Sequence, residues 1–169
     1  MEHVDLALFV LRVAVGVTMA LHGWNKVRNG IAGTAKWFDS MGMKPGVLNA
    51  WLAAGTEIGG GVLLAVGLLT PFAGASIVGL MVVAGWTSHR DKGFFVFRPG
   101  QGWEYVFVLA VVGFAVGAIG AGQWSLDAAF GIVEDGYVDG WWGALVAGVL
   151  GVGGGIAQMA VFYRPPAKA

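Results

Sequence analysis

From Val47 to Leu69 the chain runs through apolar and small residues with one ionisable side chain, Glu57. At ~1.5 Å per residue, a helix of that length crosses the ~30 Å hydrocarbon core of a bilayer. Glu57 then falls near the midplane. A charge there costs at least ~2.5–3.5 kcal/mol and is normally turned into a bundle interior, toward a partner. The composition agrees with a membrane setting. Only 12% of the 169 residues are charged and 57% are hydrophobic, whereas a soluble domain is ~25% charged. Thirty glycines fit as well, because small residues let membrane helices approach closely.

The absence of cysteine excludes structural disulfides, thiolate-ligated iron–sulfur clusters, thiol catalysis and covalent c-type haem. No basic patch points to nucleic acid. The start, Met1-Glu2-His3-Val4-Asp5, is acidic, and the apolar run that follows contains Arg12. Neither is a secretory-signal feature, so the first helix is expected to be retained.

Hydropathy and turn residues predict five spans. They are Asp5–Val27, Val47–Leu69, Phe72–Ser88, Trp103–Ile119 and Trp141–Tyr163. Thr70-Pro71 makes a tight turn between the second and third. Residues 33–41 read equally as a short amphipathic surface helix or as a loop with one anchoring Trp. The fold class expected is all-α, a polytopic membrane bundle. Residues 1–128 form a four-helix core, 129–140 an acidic outer loop, and 141–169 a fifth span with a basic tail.

Charge gives an orientation. With five spans, Lys26, Arg28, Lys36, Lys44, Arg90, Lys92, Arg98, Arg164 and Lys168 fall on one side. The other side holds Glu2, Asp5, Asp127, Glu134, Asp135 and Asp139 and no Lys or Arg. The positive-inside rule makes the basic side cytoplasmic, with the N-terminus outside and the C-terminus inside. The tryptophans cluster near the span ends, as interfacial anchors do.

Arg12 lies ~10 Å from the outer surface by helical rise and Glu57 ~18 Å. A long Arg side chain nearly closes that gap, so Arg12 is the expected partner of Glu57. The pair reads either as structural neutralisation or as a site for protons or a quinone headgroup. Arg12, Gly16, Met19, Gly23 and Lys26 share one helix face, flanked by His22, and Glu57, Gly60, Gly61 and Leu64 share another. Joined, the two faces make a polar seam of Arg12, Glu57, His22 and Lys26, with His89 and Glu104 on the same inner side. A His–Glu chain suits proton movement, and hydrogen-bond donors suit quinone carbonyls. His89 and Glu104 read as readily as headgroup-level residues. Haem on His22 and His89 is not expected, since both fall near the inner surface and nothing else forms a haem pocket. Nor is a metal, since no ligand cluster has suitable spacing.

The ordered set of motifs resembles the DoxX family of small membrane proteins. The matching pieces are Leu11-Arg12 with Gly16, Gly23-Trp24-Asn25-Lys26, and Glu57-Ile58-Gly59-Gly60 with Leu64 and Gly67. They continue with His89 and Gly93-Phe94-Phe95, Gly102-Trp103-Glu104-Tyr105, and Gly120 to Asp127. The resemblance covers about residues 5–128. It implies a four-helix bundle in a bacterial plasma membrane, tied in some branches to quinone-linked redox complexes, including the membrane subunit of thiosulfate:quinone oxidoreductase, and in others to oxidative-stress defence. It singles out Arg12, Lys26, Glu57, His89 and Glu104. The fifth span departs from the family pattern.

Two functions follow as expectations. The first is a membrane subunit of, or partner to, a quinone-linked oxidoreductase, with Glu57, Arg12 and His22 handling the headgroup or protons and Lys26, His89 and Glu104 lining the site. Quinone is then the expected cofactor. The chain carries no electron carrier of its own in sequence, so whether it is itself an enzyme stays open. The second is a non-catalytic accessory subunit, packed against other membrane subunits through its Gly-rich fourth and fifth spans. A permease ranks last, because paired inverted repeats are not apparent.

Overall fold

Glycines set the helix spacing. In the computed structural model, which describes residues 2–132 and 140–165, the first helix α1 (Glu2–Arg28) packs antiparallel to α3 (Gly46–Val66). A Cβ on Gly61 would stand 2.5 Å from the Gly16 carbonyl oxygen and 2.7 Å from the Ala20 nitrogen. One on Gly23 would meet the Ala54 carbonyl at 2.7 Å. The two backbones therefore touch, with residues n and 77 − n roughly level.

Between them in sequence comes α2 (Ile31–Ser40), which buries Ala35 and Phe38 against α3. Residues 33–40 are thus helical and Met41 caps the helix, so the segment is a helix and not a plain loop. The Asp39 carboxylate accepts the Gly46 N–H at 2.8 Å and so satisfies a donor in the first turn of α3. Asp39→Ala is expected to lose about 1 kcal/mol, the usual size of a helix-start contact of this kind. Unfolding in mixed micelles reads that loss directly.

Helix α4 (Thr70–Ala84) continues through one π turn, Gly85–His89. It packs antiparallel to α5 (Trp103–Ile119), with Gly74 against Gly113 and Gly117. A short helix α6 (Leu126–Ala129) follows. The last span has two helical pieces, α7 (Gly140–Leu145) and α8 (Gly151–Phe162), joined by a second π turn, Val146–Leu150. It runs parallel to α4, with Gly79 against Gly151 and Gly155, and antiparallel to α5, with Gly143 against Gly117. The glycines of the fourth and fifth predicted spans thus largely serve packing inside this chain. Gly55, Gly59, Gly153 and Gly154 have no atoms within 4 Å of an added Cβ.

Four helical stretches are long and apolar enough to cross a membrane: His3–Arg28, Gly46–Val66, Thr70–His89 and Trp141–Phe162. Helix α5, with 17 residues, is shorter at ~25 Å and lies alongside α4. The protein is an all-α, multi-pass membrane bundle. The acidic residues Glu134, Asp135 and Asp139 of the expected outer loop, and Lys168, fall outside the described residues.

The two bundle ends are fastened differently. At the basic end, the Lys44 N–H donates to the Phe162 carbonyl at 2.9 Å and the Arg164 N–H to the Gly42 carbonyl at 2.7 Å. The end of α8 is thereby joined to the α2–α3 connection. At the acidic end, buried Asp127 accepts from the Leu69 N–H (2.7 Å), the Thr70 N–H (3.0 Å) and the Thr70 hydroxyl (2.8 Å). It thus holds the start of α4. Leu69 needs such help, since its φ of 49° is left-handed, a region costly for a non-glycine residue.

Candidate functional site

Arg12 does not meet Glu57. Side chains on a helix lean toward its N-terminus. Arg12 on α1 therefore leans toward the acidic end, and Glu57 on antiparallel α3 leans the other way. Arg12 is fully buried and its Nη2 donates to the Trp124 carbonyl at 2.5 Å. Its Nε and Nη1 find no hydrogen-bond partner among the described residues. It belongs to the acidic-end fastening with Asp127, over Gly67, where φ is 66° and a Cβ would strike Nη1. The expected Arg12–Glu57 pair is corrected accordingly.

The partner of Glu57 is Lys26. Its Nζ donates to Oε1 at 2.7 Å and to Oε2 at 2.5 Å. The register places Lys26 six residues beyond the level of Glu57, ~9 Å along the axis. Each side chain leans toward the other, so the gap closes. The glycine at 23 lets the chains meet, because its missing Cβ would stand 2.9 Å from the Glu57 Cβ. Lys26 and Glu57 side chains are 18% and 11% exposed. The pair is therefore shielded but open on one side.

That side is a cavity of about 100 Å³. Trp37 and Phe38 of α2, Met81, Thr87 and Ser88 of α4 and its π turn, and Gln158 of α8 complete its wall. Hydrogen-bond accounting identifies which donors remain. The Thr87 hydroxyl donates to the Val83 carbonyl at 2.8 Å and the Ser88 hydroxyl to Met41 Sδ at 2.7 Å. Lys26 uses its ammonium on Glu57 alone, and Gln158 gives one N–H to Asn49 Oδ1 at 3.2 Å. An ammonium has three N–H groups and an amide two. Among the described residues, Lys26 and Gln158 thus each keep one N–H free on the wall of one cavity, and the indole N–H of Trp37 is a further donor there without an acceptor.

His22 stands apart from the cavity, its Nε2 in a 3.0 Å hydrogen bond with the Tyr105 hydroxyl of α5. His89 closes the π turn after α4, and its buried Nδ1 has no partner among the described residues. Glu104 lies in the first turn of α5, its N–H donating to the Phe94 carbonyl at 3.1 Å. Neither His89 nor Glu104 lines the Lys26–Glu57 cavity. Of the six residues expected to share a seam, the structure brings together Lys26 and Glu57. Tyr105, Asp127 and Gln158 were missed from sequence. Gln158 carried a readable signal, as the one amide side chain between Trp141 and Phe162.

The family comparison fits this division. Residues 7–90 match the DoxX family model, a shorter stretch than the 5–128 over which the motifs were read. It takes in Arg12, Lys26, Glu57, Thr87 and Ser88 and leaves out Tyr105, Asp127 and Gln158. No curated protein and no solved structure matches the chain. Through residues 7–90, this multi-pass membrane protein belongs to the DoxX family.

Proposed function

We propose that the protein is the membrane subunit of a quinone-linked oxidoreductase assembly and that a quinone headgroup occupies the Lys26–Glu57 cavity. The observation that carries this reading is the presence of unspent donors on Lys26 and Gln158, beside the indole N–H of Trp37, in one shielded cavity. A quinone ring presents two carbonyl oxygens and needs two donors. Trp37 and Phe38 offer apolar ring surfaces beside it. Reduction of a quinone takes up protons; the Lys26 ammonium holds one beside the cavity, and the Glu57 carboxylate that accepts from it is a second group through which a proton can be passed on. A partner subunit supplies the electrons. The basic end, where the cavity lies, faces the cytoplasm of a bacterial cell by the positive-inside rule.

Lys26→Met removes one of these donors. A hydrogen bond from a charged group is worth ~1.5–3 kcal/mol, so quinone affinity is expected to fall about tenfold or more. Equilibrium binding of a labelled quinone to nanodisc-embedded protein measures it. The reading fails if wild-type protein binds no quinone, or if Lys26→Met and Glu57→Gln both bind it as tightly as wild type. The accessory-subunit reading rests on Gly55 and Gly59, which leave α3 open to a neighbouring helix. Absence of quinone binding, together with retained association with other membrane proteins, would favour it.

A further inference from the structure

A second cavity, of about 300 Å³, lies between α3, α4 and α8. It follows α4 from Phe72 to Leu80, ~12 Å at helical rise. The headgroup cavity takes up at Leu80 and follows α4 on to Ser88. Ala53, Leu80 and Gln158 wall both. The two spaces therefore abut end to end, the first at the basic end of the bundle and the second running back along α4 toward its start, both lined mostly by apolar atoms. Glycines create the second one. Gly151 and Gly155 bring α8 against α4, where a Cβ on Gly155 would stand 2.9 Å from the Gly79 carbonyl, while Gly154 between them faces open space.

We infer that this groove holds the isoprenoid tail of the quinone and is the lateral route by which the molecule passes between bilayer and headgroup cavity. The inference rests on the headgroup reading above. A quinone tail gains little by leaving lipid for an apolar groove, since both are equally apolar. What the groove supplies is room. A headgroup seated between Lys26 and Gln158 must send its tail past Leu80 and Gln158, and the space on their far side is the one Gly154 keeps open. The last span, beyond the family match, then has a defined part: α8 forms the wall that the tail passes.

Two neighbouring glycines make the test. Gly153 and Gly154 both face open space, and a Cβ at either has no protein atom within 4 Å. They line different grooves, since Gly153 borders the apolar space between α4, α5 and the last span. Binding is measured in nanodiscs with a tail-less benzoquinone and with the same ring bearing several isoprene units. Gly154→Leu is expected to weaken the long-tailed compound about tenfold or more, the size of a 1–3 kcal/mol overpacking cost, and to leave the tail-less one unchanged. Gly153→Leu is expected to change neither. Undiminished long-tail binding by Gly154→Leu overturns the inference. So does a loss caused by Gly153→Leu, or displacement of a co-purifying phospholipid by Gly154→Leu with quinone binding intact. If wild-type protein binds neither compound, the headgroup reading itself fails, which is a different result.

Discussion

Asp127→Ala is expected to destabilise the bundle by about 3–5 kcal/mol, the range seen when a buried charge loses its compensation. The carboxylate is fully buried and holds three donors at the start of α4: the N–H groups of Leu69 and Thr70 and the Thr70 hydroxyl. Its own N–H donates to the Gly67 carbonyl at 2.8 Å. Alanine leaves those three donors without an acceptor, and a buried orphan costs ~1–3 kcal/mol. It also releases Leu69 from its left-handed conformation and removes a negative charge that acts on Arg12, whose one hydrogen bond among the described residues is to the Trp124 carbonyl. Asp127→Asn keeps the shape and one acceptor, so it is expected to lose roughly half as much. Unfolding in mixed micelles ranks the three proteins. Equal stability of Asp127→Ala and wild type would show that the acidic-end fastening contributes nothing.

Gly61→Leu is expected to cost about 3 kcal/mol or more, the upper range for overpacking, and to abolish quinone binding with it. The leucine Cβ would sit at the Gly16 carbonyl and the Ala20 nitrogen. Neither is a flexible side-chain end that can move aside, so α1 and α3 must separate. Lys26 and Glu57 face each other from those two helices, so their pairing goes too. Gly59→Leu, two residues away on the open side of α3, is expected to be neutral in both assays. Neutral behaviour of both variants would mean that close α1–α3 contact does not hold the pair.

Much of this bundle was legible in the sequence. Long apolar runs, Pro71, and polar connections marked the spans to within a few residues, and the face of α1 carrying Gly16, Met19 and Gly23 is the face that packs on α3. The partner of Glu57 was not. Depth counting treats a side chain as a point at its own level on the helix axis. In an antiparallel pair the leans are opposed, and this decides that Lys26 approaches Glu57 while Arg12 departs from it. Asp127 read as one acidic residue among several in a solvated connection. Only the return of that connection over the Gly67–Thr70 turn buries it, a long-range event with no local signature. The donors left on Lys26 and Gln158 likewise emerge only once every other hydrogen bond is assigned.

The hydrogen bonds joining Gly42 and Lys44 to Arg164 and Phe162 bear on how the protein is made. A chain is synthesised from its N-terminus, and its earlier parts begin to fold first. The α2–α3 connection therefore leaves the ribosome long before its partners at the end of α8 exist. Through that interval Gly42 and Lys44 lack their backbone contacts, and the Lys26–Glu57 cavity lacks its Gln158 wall. A nascent protein stalled before its last span would hold Lys26 and Glu57 already paired in a half-built recess. Completion of the Lys26–Glu57 cavity is thus deferred until the α8 segment has entered the membrane.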